Sequence, residues 1–230
     1  MQDGSGREAG GASQALGSAG VLMALISLSR SDSNVPGQMT IRNAAIAFAC
    51  VVAGLLCGAL SSVPGAAPLL WLPAGVGLAA MLAWGNRAWP GILVSAVLLE
   101  FLSLRDASTS LALALSCALL TGLAIACQTT LAATLVRARE HQPLRLDSAT
   151  EVLRFGLLWS PVAALCGAAG TLVAAYSVGL VATEALPRFA LSCWFGHWAG
   201  MVLGTPAALA LSAGSRSHFA GRRKPVLLVT

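Results

Sequence analysis

WLPAGVGLAAMLAWGNRAWPG, residues 71–91, holds an apolar run, a short polar step at Gly85-Asn86-Arg87, and the head of a second apolar run. A Trp and a Pro stand at the head of each run: Trp71 with Pro73, and Trp89 with Pro90. Pro suits the first turn of a helix, where the N–H it lacks would have no partner, and Trp suits the interface of a bilayer. The spacing predicts two membrane helices joined by a tight turn.

The same texture continues on both sides. Apolar runs cover residues 41–63, 67–84, 88–104, 108–136, 155–181 and 189–213, with a polar, charged connection over 137–154. The whole chain of 230 residues is 57% hydrophobic and only 10% charged, with a mean hydropathy of +0.77. An ordinary soluble domain carries roughly 25% charged residues. Lipid offers backbone groups no partners, so only helices or closed barrels span it, and runs this long without period-two alternation are helices. The expected fold is all-α, a polytopic transmembrane helical bundle of about six spans.

The net charge of +5 does not indicate nucleic acid, because the basic residues lie between the apolar runs. Arg30, Arg42, Arg87, Arg137, Arg139, Arg145, Arg154, Arg216, Arg222, Arg223 and Lys224 fall on one side of a six-span topology, and only Arg105 and Arg188 fall on the other. The positive-inside rule then places both termini in the cytoplasm. Of the fourteen basic residues all but Lys224 are Arg, which with abundant Ala and Gly points to a GC-rich bacterial genome. Three segments are expected: a disordered or mis-annotated leader over 1–38, with Met39 an alternative start, an integral membrane domain over 39–214, and a basic cytoplasmic tail over 215–230.

All six cysteines fall inside apolar runs, with no C-x-x-C pair and no zinc-like grouping, so they read as small buried packing residues. Gly54 and Gly58 form one G-x-x-x-G, and Gly196, Gly200 and Gly204 form two overlapping ones. Such stripes let helix backbones approach, and packing within one bundle is the favoured use, with a homo-oligomer left open.

Three polar side chains interrupt the runs: Glu100, Gln128 and His197. Charged groups at membrane depth face a bundle interior or a wet cavity. By depth, Trp71, Pro73, Glu100, Trp194 and His197 meet in one outer-leaflet pocket, with Gln128 nearer the cytoplasm. A Glu100–His197 pair that only holds helices together is the structural alternative. No metal or cofactor is expected. There is no H-E-x-x-H, no G-x-S-x-G, no phosphate-cradling loop and no pair of intramembrane Asp residues, so no enzymatic activity is expected. Ser160-Pro161 interrupts the fifth run without a partner base.

Residues 71–91 resemble the W-P-P-A-G … L-x-G-x-x-x-W-P-G signature of the membrane-associated sensor domain of the MASE type, first kind, found in bacterial signalling proteins. LRLDSATEVLRF and CWFGHWAGMVLGTPAALAL are similar to that family's R-L-D-S region and its W-W-x-G-D-x-x-G-x-x-x-x-x-P motif. Trp71, Pro73, Ala74, Gly75, Gly85, Trp89, Pro90 and Gly91 match the first motif, and Trp194, Gly196, Gly200 and Pro206 the second. Leu72 replaces a Pro, and His197 stands where the family usually has Asp. The resemblance implies a sensory domain of the bacterial inner membrane; with the depth argument it makes Trp71, Pro73, Gly75, Glu100, Trp194 and His197 the candidates for ligand binding or sensing. It also implies a cytoplasmic output partner of diguanylate cyclase, phosphodiesterase or histidine kinase type, and a chain ending at Thr230 reads as a truncated sensor module. The alternative function is a small transporter or channel component, which would need an alternating-access cavity and usually repeated halves.

Overall fold

The computed structural model describes residues 36–60, 69–104, 110–139 and 149–220. The expected leader, apart from its last three residues, lies outside the described residues, as do Arg105, Arg145 and the tail cations Arg222, Arg223 and Lys224. Among the described residues every regular element is helical. Helix α1 is Pro36–Leu60, α2 is Leu72–Trp84 and α3 is Trp89–Leu104, with a 3-10 turn Gly85–Ala88 between the last two. Helix α4 is Leu111–Arg139. Helix α5 runs without a break through Ala149–Arg154, a π-helical Phe155–Trp159 and Ser160–Ser177. After a 3-10 turn at Thr183–Ala185, α6 covers Leu186–Ala220.

Four stretches are long and apolar enough to cross a membrane: Gly37–Ala59, Leu72–Leu104, Leu111–Ala138 and Thr150–Ser177. The second of these doubles back on itself. Gly85 has φ 66° and ψ −155°, a conformation nearly restricted to glycine. Past this residue the chain turns back, so that Trp71 and Pro73 share a wall with Ser95, Ala96 and Leu99, and Gly77 faces Ile92. The expected hairpin is therefore present. Helix α6 lies outside the four because His197, Trp194, Trp198 and its glycines dilute its hydropathy, yet Met201 and Thr205 within it are fully buried.

The bundle is packed with small residues and studded outside with large ones. Ala74, Ala88, Ala118, Ala126, Ala132, Ala133, Ala163 and Ala164 are completely buried, whereas Phe48, Leu55, Val94, Leu119, Leu165, Leu191 and Leu203 are exposed. That is the order expected in lipid, where close backbone approach drives association and outward leucines have no reason to hide. Helix α2 is the most enclosed element, lying against α6, α1 and α4 with eight buried residues. Of the cysteines, all free, Cys50, Cys57, Cys117 and Cys193 are buried as expected. Cys127 is exposed and Cys166 partly so, because they fall on outward faces of α4 and α5.

One end of the bundle gathers basic groups. The guanidinium of Arg42 lies over the Trp84 ring, 5.9 Å from its centre, and that of Arg137 donates to the Met81 carbonyl. Gly91, in the first turn of α3, has an N–H without a helical partner, and it donates to Asn43 Oδ1 at 3.2 Å. A side chain at Gly91 would strike the backbone of Asn43, which explains glycine after Trp89-Pro90.

The Ser160-Pro161 interruption produces the π-helical turn. The Ser160 N–H bonds back to the Phe155 carbonyl, and Pro161 has no N–H for the Gly156 carbonyl. That carbonyl accepts from Trp198 Nε1 at 2.6 Å and from Ser160 Oγ at 3.3 Å. Helix α5 begins at Ala149, within the stretch expected to be a connection, because Glu151 and Arg154 are carried on a helical turn that is not apolar.

Candidate functional site

The site is built on the first turn of α2. That helix has only 13 residues, about 20 Å at ~1.5 Å each, short of the ~30 Å hydrocarbon core. Its start at Leu72, rather than near residue 67 as the hydropathy predicts, therefore lies inside the bundle, where each orphan N–H needs a partner. Trp71 N–H donates to the Gly196 carbonyl at 3.0 Å, and Ala74 N–H to the Trp71 carbonyl at 3.1 Å. Leu72 N–H reaches Cys57 Sγ at 3.4 Å, and Pro73 has no N–H to satisfy.

The rest of this turn meets α6 backbone to backbone. A Cβ on Gly200 would collide with the Trp71 carbonyl, and one on Gly75 with the Gly200 carbonyl and the Gly204 backbone. Thr205 adds a hydroxyl donor to the Gly75 carbonyl at 3.3 Å. Gly196, Gly200 and Gly204 thus pack within the bundle as expected, and Gly75 belongs to that crossing rather than to a ligand pocket. Gly54 packs under the Leu99 side chain, but among the described residues a Cβ on Gly58 would meet nothing within 4 Å, so none of them calls for a glycine there.

Above this crossing, at the end of the bundle opposite Arg42 and Arg137, lies a cavity of about 670 Å³. Its wall includes Trp71, Glu100 and His197, together with Gly58, Leu99 and Cys193. The Trp71 and His197 rings stand 6.3 Å apart at 44°. The structure thus unites three of the sensing candidates. Pro73 lines only a small adjoining void with Cys50 and Ser95. Trp194 is turned away: its indole N–H donates to the Pro161 carbonyl at 2.9 Å and its ring stacks on Trp198 at 5.6 Å, so it fastens α6 to α5.

No ion pair joins Glu100 to His197 among the described residues, although both face the cavity. His197 instead approaches Gln128 across Gly167. A side chain on Gly167 would run into Gln128 Oε1 and would stand 2.8 Å from His197 Nδ1, so the absence of one leaves room for both. Both atoms are buried without a hydrogen-bond partner among the described residues, so the two side chains approach each other without bonding. Gln128 Nε2 rests on Met201 Sδ at 3.7 Å. The depth argument had set Gln128 apart, towards the cytoplasm. Gln128 does lie off the cavity wall, nearer the Arg139 end of the 29-residue α4; its approach to His197 was unreadable in the sequence, because only the facing Gly167 of α5 marks the meeting point.

The sequence profile of MASE1 matches residues 42–228. The chain belongs to the MASE1 family. MASE1 domains are membrane-associated sensory domains, usually linked to cytoplasmic signalling domains. No curated protein and no solved structure matches the chain. The MASE1 positions acquire physical roles here: Trp71 and Pro73 start a helix inside the bundle, Gly85 reverses the chain, and Gly91 and Gly200 admit neighbouring backbones.

Proposed function

We propose that this chain is the sensory input domain of a bacterial inner-membrane signalling system, and that the cavity beside Trp71, Glu100 and His197 receives the stimulus. The reading carries six crossings with both termini cytoplasmic. The observation behind it is a drug-sized cavity with a few convergent polar groups in a sensory-family chain, at the end away from the basic residues. The chain itself catalyses no reaction in this reading. It passes its signal to an output of cyclase, phosphodiesterase or histidine kinase type.

The coupling route is short. Ligand pressing on Trp71 or His197 bears on the two sides of the α2–α6 crossing, which has no compressible side chains between its backbones. Helix α2 leads straight to the hairpin turn at the basic end, and α6 leads to the C-terminal segment. A ligand shifts this crossing only if it binds two arrangements unequally.

Unfolding of the protein in nanodiscs, screened against small molecules, tests the site. A true ligand at 100 times its Kd adds about 2.7 kcal/mol of stability. The gain is expected in the wild type and absent in Gly58→Phe, whose ring enters the cavity mouth. Stabilisers that act equally on both proteins would overturn the site, and substrate uptake into proteoliposomes by this chain alone would overturn the sensor.

A further inference from the structure

We propose that the cavity takes an amphipathic cation, an ammonium head on an apolar body, which enters sideways from the bilayer and is held by Glu100 and Trp71. The proposal rests on the reading of this cavity as the stimulus site. Among the described residues the lining contains one carboxylate, Glu100, and neither Lys nor Arg. Among the described residues no hydrogen bond or ion pair engages that carboxylate. Ser103, a hydroxyl on the same wall, is committed to the Leu99 carbonyl at 2.9 Å. His197 directs Nδ1 at Gly167 and Gln128, which are not on the cavity wall.

A carboxylate removed from bulk water and left without a partner is costly, and an ammonium head supplies both the opposite charge and the hydrogen bonds. Trp71 on the same wall adds an indole face, the best aromatic partner for such a cation. The remaining wall, Leu99, Ala96, Ile125 and Phe189 among it, is apolar and suits a hydrocarbon or aryl body. The volume fits a head with a substantial body.

The route follows from the rim. Leu55 of α1 is 55% exposed and Leu180, just past α5, is 52% exposed, and both border the cavity on the face that lipid would cover. Gly58 lines the same cavity, and among the described residues no atom lies within 4 Å of a would-be Cβ on it. Glu100 stands four residues before the end of α3, about 6 Å at ~1.5 Å per residue. A head bound there stays near headgroup depth, so an amphiphile need not leave the bilayer gradient to bind.

Radiolabelled 4-phenylbutylamine, 4-phenylbutanol and 4-phenylbutyrate share one body and differ in head charge. Their binding is measured to the full chain in phosphatidylglycerol nanodiscs, with empty nanodiscs subtracted. The amine is expected to bind about tenfold more tightly than the alcohol, and the carboxylate more weakly than either. Glu100→Gln is expected to erase the amine preference while alcohol binding stays within about threefold, which also certifies that the variant is folded. Gly58→Phe is expected to abolish both. Adding phosphatidylethanolamine to the nanodiscs identifies the source: competition with the amine means a lipid headgroup, and none means a free amine. An amine no better than the alcohol, or a preference that survives Glu100→Gln, overturns the cation while Gly58-sensitive alcohol binding keeps the site. Binding of all three probes that ignores Gly58→Phe, or binding of none, overturns the site as well.

Discussion

A methyl group at Gly200 would run into the Trp71 carbonyl, while one at Gly58 meets no described atom within 4 Å, although both glycines sit in G-x-x-x-G spacings. Gly200→Ala is therefore expected to cost about 1–3 kcal/mol by overpacking a contact made of backbone. Gly58→Ala is expected to be neutral or to gain up to about 1 kcal/mol from helix propensity. Equilibrium unfolding in detergent measures both, and equal effects would contradict the crossing. The same scale decides His197. Because Nδ1 faces Gln128 over Gly167, a double-mutant cycle of His197→Phe with Gln128→Leu is expected to show about 0.5–3 kcal/mol of coupling. His197→Phe with Glu100→Gln is expected to be additive within about 0.5 kcal/mol, since no ion pair links them. Polar residues in apolar runs were legible as unusual, and two of them, Glu100 and His197, do share a cavity wall. Which one meets which depends on Gly167 of α5, the helix between α4 and α6 in the chain, and no local pattern carries that.

Among the elements, the hairpin was legible because Gly85, Asn86 and the two Trp-Pro heads act locally on backbone geometry. Helix ends were less so. Hydropathy reports where the apolar stretch stops, and α2 and α5 begin where backbone partners permit: α2 at the Gly196 carbonyl, α5 a turn into charged sequence. The π-helical turn of α5 gives an element-scale prediction. Trp198→Phe removes the stronger donor to the Gly156 carbonyl and is expected to cost about 1–3 kcal/mol. Pro161→Ala restores a backbone N–H at the position whose lack freed that carbonyl. The cost of Trp198→Phe is therefore expected to fall in the Pro161→Ala background, and a cost unchanged there would show that the indole serves through packing against Trp194 and Phe195 alone.

Across the whole molecule, the sequence assigns charge to loops, and the fold sorts its described groups to the same two ends. Arg42, Arg87 and Arg137 gather around the α2–α3 turn, with Trp84 and the Met81 carbonyl as partners, while the cavity and the Glu184 turn occupy the other end. The end-to-end polarity was legible because it is written in short loops, each read independently. The cavity was not, since its volume arises from how far α1, α5 and α6 splay. A cytoplasmic basic end puts the cavity in the outer half, open to ligands of the periplasm or outer leaflet, and the reverse orientation gives it to the cytoplasm. A reporter active only in the periplasm, fused after Asp106 or Glu184, is expected to give signal, and fusions after Arg87, Arg145 or Lys224 to stay silent. Signal after Arg87 with silence after Glu184 would invert the molecule. The proposed ammonium ligand would then have to come from the inner leaflet, because Glu100 moves with its helix end. An intermediate pattern, with Glu184 and Lys224 on one side, would remove α6 as a crossing and leave the α2–α6 contact with no path to the other face.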